Sequence, residues 1–500
     1  MTVLFCAPLK WEADALRRGL PADLRSQVIR TGGGLSRAAR AAETVQLRGA
    51  DAVAVAGIAG GLDPSLRPGD VVVADRVLGP GGREIDCRGA RLLAARLRAD
   101  GIDARIGAIV SSPRPVTGRR RQEFAERGAL AVDMESAALV DPDRPCAVVR
   151  VVADPADGRL VAPATLGRVR QAVAGVTRVA PALADWAAAV GPRTVLLAEP
   201  RSFCAGVERA IEVVEQALAQ RGAPIYVRKQ IVHNQHVVGD LARRGAIFVD
   251  DLSEVPAGAT VVFSAHGVSP AVREQAETCG LDVIDATCPL VTKVHSEVRR
   301  FADRGDTIIF IGHAGHEEAE GTMGERPRST VLVQDLADAE TVQLPDPARC
   351  SYLVQTTLSS YEVAGIIEVL RRRFPDIKGP ATDDICYATT NRQDALREVA
   401  GTSELVLVVG SQNSSNSQRL VETAQRYGAR SHLVDDVDGV DLRWLAGVAT
   451  VGITAGASAP AALVDELVTS IGGLGPVDIR THRLVTENVH FTLPKEVRGA

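Results

Sequence analysis

Short, almost uniformly apolar runs recur along this chain, and most are followed by a turn and then by a stretch with helical spacing. TVLFCAP (2–8) reads as a buried strand, WEADALRRGL as a helix, and SQVIRTGGG as a strand entering a glycine turn. DAVAVAGIAGGLDPSLRPGDVVVADRV places two Val/Ala-rich strands around a Gly/Pro loop, and CAVVRVVADPAD (146–157) is a further strand ending in acidic residues. Uninterrupted apolar runs separated by helical segments predict a largely parallel sheet covered on both faces. Residues 169–190 predict a closing helix interrupted near Pro181, because proline removes a backbone donor. GPRT (191–194) reads as a linker, after which TVLLAEP starts the strand pattern again.

Beyond that point one motif recurs three times, in TVLLAEPRSFCAGVERAIEVV, LDVIDATCPLVTKVHSEVRRF and GPATDDICYATTNRQDALREV. Each predicts a strand, a loop carrying a cysteine, and a helix. The cysteines are Cys204, Cys288 and Cys386. Three such units predict three related α/β subdomains, with sites built where strands run into helices.

The length of 500 residues calls for more than one core. An apolar content of 46% with 24% charged residues is that of a globular chain. No charge-free apolar run reaches the roughly 18 residues a membrane span needs, and the amino terminus lacks the basic segment of a secretory signal. The net charge of −5 comes without a basic tract, which argues against a nucleic-acid binder. A cytoplasmic location is expected. Eight cysteines occur with no CxxC pair, so disulfides, zinc ribbons and local ferredoxin motifs are not expected. Any metal held by these thiols has to be assembled from distant parts of the chain.

Cys6, Cys87, Cys146, Cys279 and Cys350 read as small apolar fillers. Cys204, Cys288 and Cys386 differ because a helix N-terminus favours the thiolate that a metal requires. Three thiolates around one iron–sulfur cube would leave one iron open to a substrate oxygen. Between them lie segments suited to an anion. His233 is in IVHN, His266 in FSAHGVS, and His313 and His316 in GHAGHEEAEGTMGE. Ser414, Ser415 and Asn416 are in GSQNSSNSQRL, and Ser458 is in ITAGASAP. Small hydroxyls and amides at glycine turns suit phosphate oxygens, and imidazoles add charge if protonated. Glu318 with Thr356 and Thr357 of QTTLS could relay a proton.

With PRSFCAGVERAI, YVRKQIVHN, FSAHGVS, DATCPLVTKVH, GHAGHEEAEGTMG, QTTLS, DDICYATTNRQ, GSQNSSNSQRL and ITAGASAP in order, residues 194 to about 497 resemble the 4-hydroxy-3-methylbut-2-enyl diphosphate reductases. These act at the last step of the methylerythritol phosphate isoprenoid pathway. The resemblance implies that Cys204, Cys288 and Cys386 hold a [4Fe–4S] cluster. It makes His233, His266, His316, Ser414, Ser415, Asn416 and Ser458 the diphosphate site, with Thr357 assigned to substrate binding. Glu318 becomes the proton source, and Thr356 the neighbour of the substrate hydroxyl. The implied reaction is reductive loss of that hydroxyl to give isopentenyl and dimethylallyl diphosphates, with a ferredoxin or flavodoxin as electron donor. Two positions depart from the family. Ser202 stands where glycine is usual, which costs little unless positive φ is needed. Lys229-Gln230 replaces the usual His-Glu. The residue-level rival is a non-catalytic metal- or cluster-binding protein.

GIAGGLDPSLRPGDVVVADRV, VDMESAALV and VVRVVADPAD resemble the purine nucleoside phosphorylase and nucleosidase superfamily, hopanoid-associated phosphorylases among them. The resemblance implies that Met134 and Glu135 contact the ribose of a purine nucleoside. It makes Asp154 the proton donor to the base and Glu12 the residue positioning an attacking water. Gly57, Gly60 and Gly61 would let the backbone approach the ligand. Hydrolysis and phosphorolysis both remain open, and the rival is a degenerate ligand-binding or assembly module. The stretch is short for its superfamily, which points to a homo-oligomer completing the pocket. The expected layout is therefore a nucleoside-phosphorylase-like α/β domain over 1–190, a linker over 191–194, and three pseudo-symmetric α/β subdomains around an iron–sulfur cluster over 195–500.

Overall fold

The computed structural model describes residues 1–156 and 165–498. The chain forms two compact units. The first comprises Met1–Val195 with Asp436–Val451 and Asp465–Arg480, and the second comprises Leu196–Asp435, Gly452–Val464 and Thr481–Ala500. Among the described residues no helix is long and apolar enough to cross a membrane.

The first unit is built on an eight-stranded sheet. Strand Ala52–Gly61 pairs with Ala129–Asp133, which pairs with Ala104–Ser111, and that strand pairs with Val71–Leu78. Cys146–Asp154 closes the circuit by pairing with both Val71–Leu78 and Ala52–Gly61. The apolar runs are buried strands, but two pairings within this ring are antiparallel, so the sheet is mixed rather than largely parallel. Pairing on both sides buries Cys146–Asp154 along nearly its whole length.

The closing helix runs from Thr165 to Ala189 with Pro181 inside it, without the expected break. Proline at 181 cannot donate to the carbonyl of Thr177, one turn earlier. That carbonyl faces Gly19, where an added Cβ would lie 2.2 Å from the oxygen. Missing side-chain bulk on one helix thus accommodates a freed backbone oxygen on its neighbour.

In the second unit three separate sheets replace one large one. A parallel four-stranded sheet uses Ile225–Arg228, Ala246–Val249, Thr260–Phe263 and Asp282–Asp285. A parallel three-stranded sheet uses Thr307–Ile311, Thr330–Val333 and Cys350–Val354. The five-stranded third sheet includes Arg193–Glu199, Leu405–Val409 and Arg430–Val434. The connections between sheets carry the cysteines. Arg193–Glu199 leads through Cys204 into helix Ala205–Arg221, whose Val207, Ala210, Val213 and Val214 pack in the core of the four-stranded sheet. Asp282–Asp285 leads through Cys288 into helix Pro289–Asp303, whose Val294, Val298 and Phe301 pack against Ile308 and Phe310 of the three-stranded sheet. Cys386 precedes helix Tyr387–Ala400, which packs Leu396 and Ala400 against Val406 and Val408 of the third sheet. The predicted strand before Cys386 is absent, because Gly379, Pro380, Asp383 and Asp384 favour turns and only Lys378 makes an isolated bridge.

Ser202 answers the question raised by its departure from glycine. Its φ is +65°, a left-handed conformation that a side chain disfavours. Its buried hydroxyl also has no hydrogen-bond partner. Ser202→Gly is expected to stabilise the second unit by about 1 kcal/mol, measured by denaturant unfolding, since it relieves the φ and removes an unsatisfied polar group. A loss of stability would show that the hydroxyl has a partner of its own.

Candidate active site

Cys204, Cys288 and Cys386 each occupy the N-cap position of the helix that follows. All three line one cavity of about 100 Å³ in the second unit. Gly206 makes their approach possible, since a Cβ there would lie 2.7 Å from Cys288 Sγ and 3.8 Å from Cys204 Sγ. Thr389 N–H donates to Cys386 Sγ at 3.3 Å. Helix ends were expected to favour thiolates, but burial outweighs them here. It pushes the Cys288 thiol up to about 12 and Cys386 up to about 11, and the neighbouring thiols oppose ionisation further. A sulfur-only donor set of this kind is stabilised when a cationic centre replaces the protons. It fits an iron–sulfur cluster.

The opposite wall carries the histidines. The His233 and His266 rings stack with centroids 4.0 Å apart, and His316 meets them edge-on at 5.3 and 5.9 Å. Burial, reinforced by the other imidazoles, lowers His233 to about 2 and His316 to about 4. These rings are therefore neutral donors near pH 7 in the ligand-free pocket, and would gain charge only beside an anion. His316 Nδ1 accepts from Glu318 N at 3.2 Å, which leaves its Nε2 as the donor. His233 Nε2 is buried without a partner.

The hydroxyl and amide residues converge on the same cavity. Ser414 caps helix Ser415–Arg426, Thr357 donates to Ser415 Oγ at 3.0 Å, and Ser458 donates to the His233 carbonyl at 3.0 Å. Asn416 donates to Thr389 at 3.2 Å and accepts from Ala457 N at 3.1 Å. His313 does not line this cavity; its Nε2 faces Arg419 at 3.3 Å. Glu318, only 1% exposed, accepts from Thr356 N at 2.7 Å and from Thr356 Oγ1 at 2.9 Å. Burial raises its carboxyl above the ordinary range, with the two Thr356 hydrogen bonds opposing. It is thus a fixed carboxyl inclined to hold a proton.

Glu317, Tyr387 and Phe491 were missed. Glu317 sits 3.2 Å from His266 Nδ1, and the run of acids in HEEAE was its only signal. His233, His266 and Glu317 also bring ligand atoms within 4.8 Å of one another, a second set that a cation could bridge. Tyr387 and Phe491 line the cavity, but nothing local marks Phe491, far along the chain from every motif.

In the first unit Glu12, Met134, Glu135 and Asp154 line one cavity of about 510 Å³, together with Gly60. Glu12 accepts from Leu9 N and Ile58 N, both at 2.8 Å, and burial raises its carboxyl to about 7. Glu135 accepts from Gly34 N at 2.7 Å. Burial raises it too, with Arg150 opposing. Gly57 makes room for this charge cluster, since its Cβ would meet Arg150 Nη1 at 2.6 Å and Glu12 Oε1 at 2.7 Å. Gly61 instead packs near Val152 and Leu66. Asp154 is not free: Oδ2 pairs with Arg121 at 2.6 Å, and Oδ1 faces Arg168 at 3.7 Å. Arg150, wholly buried and 2.7 Å from Asp133, was missed. The lone basic residue within CAVVRVVAD was its signal.

Fold and site together define a three-lobed α/β enzyme that brings one thiol per lobe to a pocket suited to a small anion. The chain belongs to the LytB protein family, whose model matches residues 195–472. It is 57% identical over 315 residues to 4-hydroxy-3-methylbut-2-enyl diphosphate reductase 2 of Mycobacterium bovis, covering 62% of this chain and 96% of that protein. The corresponding reductase of an Azoarcus species is 54% identical over 306 residues, with 61% and 98% covered. The solved E-1-hydroxy-2-methyl-but-2-enyl-4-diphosphate reductase of Plasmodium falciparum matches with a TM-score of 0.59 at 38% identity, covering 61% of this chain and 97% of that one. Residues 25–185 match the Phosphorylase superfamily model.

The lowered imidazoles give a pH dependence of definite sign. Below about 6.5 the unfolded chain binds protons at His233 and His316 that the folded chain refuses. Stability of the second unit should therefore fall as pH drops from about 7 toward 4. Imidazole nitrogen shifts in the ligand-free protein should show both rings neutral at pH 6, and a protonated ring there would contradict the assignment.

Proposed function

We propose that the second unit reduces 4-hydroxy-3-methylbut-2-enyl diphosphate to isopentenyl and dimethylallyl diphosphates. The observation that carries this reading is the meeting of three thiols, three imidazoles and the Glu318–Thr356 pair in one cavity. Overall, two electrons and two protons convert the allylic alcohol into an alkene and water. Cys204, Cys288 and Cys386 would hold a [4Fe–4S] cluster, which when bound supplies electrons and Lewis acidity from an iron without a protein thiolate. A ferredoxin or flavodoxin is the fitting electron donor.

The chain's own residues do the rest. His233, His266 and His316 donate to the diphosphate, and Ser414, Ser415, Asn416 and Ser458 hold its remaining oxygens. Anchoring that end directs the allylic hydroxyl toward the sulfur wall. Thr356 bonds the hydroxyl while Glu318, whose carboxyl burial raises above the ordinary range, supplies the proton that lets it leave as water. Apolar Val207, Val291 and Phe491 limit water in the cavity.

In the first unit, the buried Glu12 carboxyl with a value near 7 supports cleavage of a purine nucleoside at its N-glycosidic bond. Glu12 acts as base toward the attacking oxygen, Met134 and Glu135 hold the ribose, and Asp154 exchanges Arg121 for the purine.

Under anaerobic assay Glu318→Gln should lower reductase kcat by about 10²–10⁴-fold while the iron content stays that of wild type. A colourless, zinc-loaded wild type without turnover would sink the reductase reading. Purine release from a methylthio- or homocysteinyl-adenosine, assayed with and without phosphate, should rise with pH through about 7 and be lost in Glu12→Gln. Absence of cleavage in both conditions would leave a binding module.

A further inference from the structure

Each helix capped by a cluster cysteine carries one cation that reaches the loop of another cysteine. Arg209, five residues after Cys204, donates through Nη1 to the carbonyls of Ala286 and Thr287, at 3.0 and 3.1 Å. Those are the two residues immediately before Cys288. Lys293, five residues after Cys288, donates through Nζ to the carbonyls of Thr382 and Asp383 at 2.7 and 2.9 Å and to Asp384 Oδ1 at 3.1 Å. That loop leads into Cys386. Arg392, six residues after Cys386, donates through Nε and Nη2 to the Ser202 carbonyl at 3.1 and 2.7 Å, and through Nη2 to Phe203 O at 3.1 Å. Those two residues immediately precede Cys204. The circuit closes after three steps.

From this closed circuit we infer that Arg209, Lys293 and Arg392 are positioning residues, a cyclic clasp that sets the three thiols for their cluster. The inference rests on the reductase reading of Cys204, Cys288 and Cys386. Carbonyls next to a cysteine fix its backbone dihedrals, so anchoring them fixes where the sulfur points. Each cation helix belongs to one thiol and each anchored loop to the next, so no cysteine can shift without straining its neighbour's anchor. The side chains are committed to this task. Arg392 is wholly buried, Arg209 is nearly so, and Arg209 spends Nε on the Thr492 carbonyl at 2.8 Å. Arg392 Nη1 pairs with Glu487 at 3.1 Å. Lys293 and Arg392 are paired with Asp384 and Glu487, so Arg209 supplies the net positive charge that favours the reduced state of an iron–sulfur centre with thiolate ligands, and removing Lys293 would leave Asp384 uncompensated.

The test uses the full chain, loaded with iron and sulfide without oxygen. Lys293→Met and Arg209→Met are compared with wild type, with Lys293→Arg and Arg209→Lys as conservative partners. Arg221→Met serves as control, because Arg221 lies on the Cys204 helix but pairs with Asp282. The readouts are the rate of iron release to a chelator and the cluster's reduction potential by spectroscopic titration. The methionine variants should release iron about tenfold faster or more and show a more negative potential. The conservative variants should recover much of both, and the control should match wild type. If one methionine variant does not fold, the other decides, since each breaks the circuit on its own. Release rates and potentials equal to wild type in folded variants overturn the clasp and leave the reductase reading intact. A wild type that takes up no cluster overturns the reading itself.

Discussion

Three thiols inside one cavity are the constraint around which the second unit is arranged. Burial and the neighbouring thiols oppose ionisation of Cys288 and Cys386, so there a metal centre would displace protons. Such a site must be held in place by the protein rather than by attraction among its own groups. Each cysteine therefore sits where a connection leaves one sheet and the following helix enters the core of another. Three small cores meet at three helix caps, and rigid elements rather than flexible loops carry the donors.

Burial also shapes the other wall of the pocket. It lowers the His233 and His316 imidazoles below their ordinary value and raises the Glu318 carboxyl above its own. Groups that hydrogen-bond one another now, such as Thr357 with Ser415 and Ser458 with the His233 carbonyl, keep the donors ordered before any ligand arrives. Little reorganisation is left for the moment of binding. In the first unit a comparable arrangement of buried charge centres on Arg150, which balances Asp133, Glu135 and Glu12 within the sheet ring.

Much of this was legible in the chain. The strand and helix alternation and the cysteines at helix caps follow from local spacing and turn chemistry. Ring closure was not legible, because pairing direction depends on which strands become neighbours. The helix through Pro181 was not legible either, since it depends on a glycine elsewhere that receives a carbonyl. Turn formers ahead of Cys386 were present, yet the apparent repeat suggested a strand where the loop is anchored by Lys293. Phe491 reaches the site across a long stretch of chain, and Arg209, though close to Cys204, finds its partner carbonyls at Ala286 and Thr287 only after folding.

The sequence by itself determined the chemical alphabet of the site: which thiols, imidazoles, hydroxyls and carboxyls stand at turns where backbone groups are open. Local dihedral preference and helix capping are enough for that, because they act within a few residues. Only the tertiary structure decided the protonation of those groups and the left-handed backbone at Ser202. It also decided the order in which each cationic side chain reaches the next cysteine loop. These depend on burial and on partners far along the chain, and both exist only once the three lobes have packed.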